Sequence, residues 1–471
     1  MIDIPDYTDP FAGGSNMAEF QELAKALSTG ATYGLTDQTG GAASRLESIQ
    51  ATLKSATFME TAAKFWQMVG KKKAGSTIEE YSLWSDPGDG EFYTEGGLPQ
   101  EQDSVYTRAY EAVKFLGAVG KISNQAMVVK NLVDLKAQET LSRTLGVIRK
   151  LNKTLYFGDA TCNPLEFPGL LYQMTARANS ENIIDCAGKR LRLEEINTAA
   201  RIISDNYGTP SHLFISNEAK EYYVKELIAS KTYFVNDASV MRVGVNPNEW
   251  LVGNGQGIVV QDVFLKSLDP GAPKKSQAGS WVKQEGQPPS AATSSKAPAT
   301  PVIGVVTTPA HADSAFASGD AGTYDYRVTA INQYGESLYD TESGVSTVAA
   351  GDEVLIPVTE GGGAYATTAY KVYRKLAAES TYHYCFQTAY SASPQSLSDK
   401  NLYRHNTTMA FLMDFNVDQV LAYHQLLPFF SMPLAIIDDS IRWLLKLYGT
   451  LMVYNPNKIV ILKNIGATAW S

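Results

Sequence analysis

The sequence predicts an α+β chain carrying an inserted all-β sandwich, and three observations support that prediction. Residues 124–157 hold one long amphipathic helical pattern, and residues 77–122 before it alternate with period two. A stretch poor in large apolar side chains, 267–301, then leads into 302–415, which is strand-like throughout.

In the helical pattern, apolar residues recur at Val128, Leu132, Leu135, Leu141, Leu145, Ile148, Leu151 and Leu155, with Lys130, Asp134, Lys136, Glu139, Arg143 and Arg149 mostly between them. Ser123 or Asn124 can cap its start, and Gly158-Asp159 closes its end. At 1.5 Å per residue the rod would reach roughly 50 Å. The alternative is a helical hairpin broken near Gly146, since a mid-helix glycine costs about 1 kcal/mol relative to alanine. With the stripe facing its own sheet, a charge at Leu145 should abolish folding and one at Lys136 should not.

The chain has 471 residues, room for two or three domains, and is 44% hydrophobic and 19% charged. A net charge of −9 argues against a protein whose main task is to grip nucleic acid through a basic surface. Cys162, Cys186 and Cys385 lack the spacing of a zinc site or a disulfide framework. Neither a basic, apolar signal sequence nor a run of about eighteen apolar residues occurs, so a soluble cytoplasmic product with no membrane association is expected.

Residues 1–74 read as an N-terminal arm with entry helices, at Met17–Leu27 and Ser44–Val69, around a Gly/Thr-rich spacer. Residues 75–115 read as an extended β-hairpin. TIEEYSL and EFYT flank the turn signals of SDPGDG, and SVYTRAYEAVKF returns. Asp86, Asp89, Glu91 and Tyr93 mark the tip of this loop. The three acids miss the calcium-loop spacing, and turn chemistry accounts for the aspartates.

A Gly/Pro-rich turn, LYFGDATCNPLEFPGLL, follows the long helix and is expected to feed a short apolar strand. Then come a helix at 192–207, a strand at 212–216, a helix at 217–228 capped by Ser216 or Asn217, and strands at Met241–Val245 and Gly257–Leu265. GNGQG at 253–257 lacks the order and the following helix of a phosphate loop and reads as a connection between strands. The linker spans 267–301 and the sandwich 302–415, the latter including a strand at 410–416. TYDYRVTAINQYGES and AYKVYR resemble strands of fibronectin type III and immunoglobulin-like modules. Residues 416–471 supply an apolar loop at LLPFFSMPLAII and a strand pair, 443–454 and 458–464, joined by Asn455-Pro456-Asn457. These are too few to fold alone and should complete the sheet begun before the linker.

No catalytic constellation is present. The histidines His212, His311, His383, His405 and His424 are scattered, Cys162 and Cys186 have no motif-level partner, and the adjacent pairs Glu194-Glu195 and Asp438-Asp439 point apart. Neither an enzyme nor a cofactor or metal site is expected.

Taken in order, the strand VGKISNQAM entering a long helix, the LYFGDATCNPLEFPGLL turn, the helix–strand–helix of 193–228 and the closing YGTLMVYNPNKIVILKN resemble the major capsid proteins of tailed bacteriophages with the HK97-type fold. The resemblance implies an extended loop at 75–115, a peripheral domain at 116–184 with its spine helix at 124–157, an axial domain at 185–266, and a return to both at 416–471. It implies a non-enzymatic protein that self-assembles as hexamers and pentamers into an icosahedral shell around double-stranded DNA, contacted non-specifically. It also implies a place in the virion after assembly in the host cytoplasm, and as partners a portal, a separate scaffolding protein and a decoration protein. No lysine lies between Lys73 and Lys114, so covalent cross-linking from the loop is not expected. The alternatives are an encapsulin-like compartment and an adhesin acting through the sandwich.

Overall fold

A computed structural model describes residues 61, 63–86, 88, 90–101, 103–128, 134–229, 247–265, 288–404, 407–435 and 438–470. The chain divides into two compact units, Met1–Lys54 and Ser55–Ser471. The first lies outside the described residues, as do most of the expected entry helices, the strand expected at Met241–Val245 and most of the linker.

Within the second unit, α1 (Lys64–Met68) leads into β1 (Lys71–Lys73). Residues 63–74, expected in the arm, instead belong to the body: Phe65 and Trp66 are buried in its main core, and β1 runs parallel to a later strand. The expected hairpin is present, with β2 (Ile78–Asp86) antiparallel to β3 (Val105–Ala112) and Trp84 opposite Tyr106. At the buried Val113 the chain leaves this ribbon, and β4 (Lys114–Ser123) enters a different sheet.

The single helix expected over 124–157 requires correction. Ser123 Oγ accepts from the Ala126 amide and caps α2 (Asn124–Val128), and a second helix, α3 (Leu135–Phe157), starts anew. Asp134 stands in extended conformation before it and accepts from the amides of Lys136 and Ala137 at 2.9 and 3.2 Å. An aspartate capping a helix start satisfies two orphan amides, which a place in the helix interior would not require of it. The alternative break at Gly146 does not occur, because α3 runs through it. Only the C-terminal half of α3 is deeply set: Val147, Ile148, Leu151, Leu155 and Tyr156 are buried, Leu145 is half-buried and Leu141 is exposed.

The turn after α3 explains its own glycines. The Gly169 amide donates to the Gly158 carbonyl at 2.8 Å, and a Cβ on Gly158 would lie 2.4 Å from the Phe167 carbonyl oxygen. The two strands of this turn cross too closely for side chains. Asp159 folds the loop between them by accepting from the amides of Thr161 and Cys162.

The turn feeds a helix, α4 (Leu170–Arg177), and not the expected strand; β5 (Ile183–Asp185), α5 (Leu193–Asp205), β6 (His212–Ile215) and α6 (Asn217–Ala229) follow, the last capped by Ser216 Oγ on the Ala219 amide. β7 (Glu249–Val252) and β8 (Gly255–Gln261) form a hairpin, with GNGQG spanning their turn and the start of β8.

The all-β region holds β9 (Val302–Ile303), β10 (Gly322–Asn332), β11 (Gly335–Glu336), β12 (Asp340–Val348), β13 (Val354–Thr359), β14 (Ala369–Leu376), β15 (His383–Ala389) and β16 (Gln395–Asp399). They form a five-stranded and a three-stranded sheet. One apolar cluster joins them, with Tyr324, Tyr326, Val328 and Ala330 of β10 meeting Val354, Ile356 and Val358 of β13. A buried Arg374–Asp399 pair at 2.7 Å, with Tyr326 donating to the same carboxylate oxygen, closes one part of it.

The end of the chain departs most from expectation. β17 (Thr408–Met413), expected at 410–416 as part of the all-β region, lies in a six-stranded sheet of order β5-β20-β17-β6-β8-β7, where β20 is Ile459–Ile465. Every residue of β17 is buried, and such a strand loses the alternation by which a half-exposed strand is recognised. The expected apolar loop is a strand, β18 (Leu421–Pro433), paired with β19 (Ser440–Val453) in a four-stranded sheet of order β1-β18-β19-β4. β19 and β20 are therefore not a pair, and Pro456–Lys458 carries the chain from one sheet to the other.

The six-stranded sheet is covered on both faces. Phe411, Met413, Ile459 and Ile461 point to the cluster containing Leu151, Leu155 and Tyr156 of α3, while Ala410, Leu412, Val460 and Leu462 point to that of α5 and α6. A wholly buried carboxylate, Asp262, ties α1, α3 and the end of β8 together. It accepts from the Phe65 amide, Asn152 Nδ2, Tyr156 Oη and the Phe264 amide, and Asn152 Oδ1 accepts from the Trp66 amide.

Candidate assembly surface

The ribbon of β2 and β3 has two unequal faces. Register places Ile78, Glu80, Ser82 and Trp84 with Tyr106, Arg108 and Tyr110 on one of them. That face is open to solvent, with Trp84, Tyr106 and Tyr110 exposed by 60%, 66% and 66%, and the Trp84 and Tyr106 rings stacked at 6.3 Å. Solvent-exposed aromatic side chains of this size mark a surface that another surface covers.

Of the residues expected at the tip, Asp86 ends β2, Asp89 lies outside the described residues, and Glu91 and Tyr93 are exposed in the connection to β3. Glu91 also accepts from the Gln100 amide at 3.3 Å, which folds this connection on itself. The sequence reading missed Phe92 and Leu98, both almost fully exposed, together with Trp84, Tyr106 and Tyr110. Their signal was present in the period-two placement of 84, 106 and 110 on a single ribbon face.

Charge is concentrated on the same segment. Between Gly75 and Ala112 stand nine carboxylates and one arginine, so this stretch carries −8 of the chain's net −9. Glu91, Glu95, Glu101 and Asp103 are all exposed.

The root of the ribbon is held by polar contacts. His424 lies with Nδ1 3.2 Å from Glu79 Oε2 and Nε2 2.6 Å from Tyr454 Oη, while Glu79 Oε1 accepts from the amides of Gly75 and Ser76. Burial holds the His424 imidazolium below its ordinary range, against the opposing pull of Glu79. Tyr81 donates to the Val453 carbonyl at 2.9 Å, and Glu111 is paired with Arg177, its carboxyl raised by burial that outweighs the arginine.

The four-stranded sheet shows a second open apolar face. Leu427, Tyr448 and Phe115 lie in one row across it and Met432, Leu444 and Val119 in another, with Lys446 between them over the rings of Phe430 and Tyr448. Among the described residues β1 pairs only with Tyr423–Gln425, so from Leu426 onward β18 is an edge of the described sheet, interrupted by Pro428 and Pro433.

The residues weighed for chemistry have structural partners. Cys162 and Cys186 are buried thiols whose ionisation burial opposes, that of Cys186 pushed up to about 12. Arg192 pairs with both Glu194 and Glu195. Lys121, Ser440 and Arg442 hold the Asp438 carboxyl well below its usual range, and Asp439 accepts from Asn124 Nδ2. Among the described residues no three carboxylates, histidines or cysteines gather as a metal site, and no helix is long and apolar enough to cross a membrane.

No family model matches the chain. Over 225 residues, 46% of this chain and 48% of the other, it is 23% identical to the protein named "Putative major capsid protein" of Enterococcus phage phiEF24C. The chain thus spans about half the length of that curated relative. Among solved structures it is similar to the capsid of a native GTA particle, at 9% identity over 92% of this chain and 99% of the other, with a TM-score of 0.48. It is also similar to a chain in the capsid structure of cyanophage P-SCSP1u, at 8% identity over 89% and 92% with a TM-score of 0.44. A third is the holo-SrpI encapsulin complex of Synechococcus elongatus PCC 7942, at 8% identity over 89% and 94% with a TM-score of 0.40.

Proposed function

We propose that this chain is the major capsid protein of a tailed bacteriophage, with an HK97-type fold, and that it assembles as hexamers and pentamers into a closed shell around double-stranded DNA. The observation that carries the reading is the β2–β3 ribbon, whose aromatic face and acidic connection have no cover within the described chain. An element of this kind gains its stability by lying across a neighbour, and a repeated contact between identical chains builds a symmetric assembly. The sequence similarity to a phage protein bearing the capsid name supports the same reading.

In this reading 288–404 is an immunoglobulin-like domain displayed on the outer surface. The body needs none of its strands to complete either sheet. The thiols and carboxylates weighed above hold the fold and perform no catalysis. A scaffolding protein, a portal and a decoration protein are separate chains, and the mature location is the virion.

Electron microscopy of the purified full chain tests the proposal. Closed particles with hexameric and pentameric units are expected, and a chain that stays monomeric at high concentration and low salt overturns it. Nucleic acid inside particles recovered from infected cells separates a genome shell from a compartment enclosing protein.

A further inference from the structure

The five-stranded sheet of the all-β region turns one face to its apolar cluster and the other outward, and β15 ends the sheet. In a free sandwich such an outward face is polar and solvated. Here it is partly covered. Register places Thr329, Lys371 and Gln387 in one row and Arg327, Tyr373 and Tyr384 in the next, and Thr329 and Tyr373 are buried. The register shift at Val372/Tyr373 skips Cys385, so Tyr384 shares the side of Gln387. From that side Gln387 Nε2 donates to Asp159 Oδ2 at 3.2 Å, in the turn after α3. Burial, with Cys162 and Asp159 nearby, holds the Tyr384 hydroxyl well above the ordinary tyrosine range.

A second group of contacts lies where the chain leaves the region. The Arg404 guanidinium pairs with Asp320 at 3.0 Å and donates to the Ala315 carbonyl at 3.4 Å, both in the all-β region, while the Arg404 amide donates to Asn464 Oδ1 of β20 at 2.9 Å. Asn464 Nδ2 donates to the Leu402 carbonyl, and Tyr403 packs against the main core of the body.

We infer that the all-β region is a clamp closed over the turn 159–162: it grips Asp159 through β15 and β20 through its exit at Arg404, braces the end of α3 and shields Cys162. A module joined at one place pivots by default, whereas contacts to two elements of the body hold a single orientation. Each contact is modest, but both lie within one chain, and the high effective concentration keeps them closed. The clamp rests on these contacts alone and holds whether or not the chain builds a shell.

Thiol labelling of the native full chain, read peptide by peptide by mass spectrometry, tests this, with Cys186 in the other core cluster of the body as internal reference. In the parent, Cys162 is expected to label within about threefold of the rate of Cys186, and in Gln387→Ala/Arg404→Ala about tenfold faster with Cys186 unchanged. A parent in which Cys162 already labels about tenfold faster than Cys186 overturns the inference, as does a double variant that keeps the parent's rates. Where the double variant loosens both thiols together, Arg404→Ala alone decides, because the lost guanidinium bonds go to the all-β region. Faster labelling of Cys162 with Cys186 unchanged then supports the clamp, and any other result overturns it.

Discussion

The amide of Phe65 donates to Asp262 at 3.0 Å across 197 positions of sequence, both residues fully buried. The same carboxylate takes Asn152, Tyr156 and the Phe264 amide, so a single side chain at the end of β8 joins the entry segment to the long helix. Asp262→Ala leaves these buried donors without an acceptor and is expected to cost roughly 3 kcal/mol or more, with Asp262→Asn costing about half as much. The shift in urea midpoint measures it. A loss under about 0.5 kcal/mol for the alanine would show that the network is incidental.

Along α3 the apolar stripe is uniform in sequence but not in burial. Leu151→Ala, at a fully packed position, is expected to cost about 2–5 kcal/mol, and Leu141→Ala, on the exposed half, to stay within about 0.5 kcal/mol. Thermal melts of the two variants give the comparison. Equal losses would mean that the N-terminal half of the helix is buried as deeply as the C-terminal half.

Deletion of 288–404 keeps β17 and is expected to leave a folded body, weakened by the loss of contacts such as Gln387 to Asp159 and Arg404 to Asn464. Deletion of 300–415 removes β17 from between β6 and β20 and is expected to give no cooperative unfolding transition. Circular dichroism during a urea titration distinguishes the two. A folded product from the longer deletion would contradict the strand order.

Burial holds His424 and His212 below the ordinary histidine range. The folded state therefore binds protons less readily than the unfolded one, so their contribution to stability is complete above a pH of about 6.5 and declines as the pH falls below it. Glu111, raised by burial, acts in the opposite sense but only nearer the carboxylate range. Melting temperature is expected to fall as the pH drops below about 6.5, with a shallower fall in His424→Gln. An unchanged slope in that variant would place the dependence elsewhere.

What was legible in the sequence is what periodicity and turn chemistry record. The hairpin announced itself through the alternation of TIEEYSL and SVYTRAYEA, although EFYT beyond SDPGDG forms no strand, the start of α6 through Ser216, and the close crossing after α3 through its Gly-Asp and Pro-Gly pairs. Burial on both sides erased the signal elsewhere: TMAFLM has no polar face to alternate with, and LLPFFSMP, with two prolines in an edge strand, resembled a loop. Asp134 shows a third cause. On a helical wheel it falls between apolar positions like any surface residue, and only its extended backbone reveals a cap. Turn chemistry in the sequence directed attention to the tip acids, whereas the exposed aromatics needed the strand register that places them on one side.

The positions of β17 to β20 bear on how the chain is made. Residues 408–465 supply inner strands to both sheets of the body, β17 and β20 to one and β18 and β19 to the other. A nascent chain emerging from the ribosome therefore holds two unfinished sheets until β17 to β20 appear, and the all-β region is the part able to close earlier. In the shell proposed above, a copy terminated before β17 would lack the frame that holds its contact surfaces and so could not poison a growing lattice.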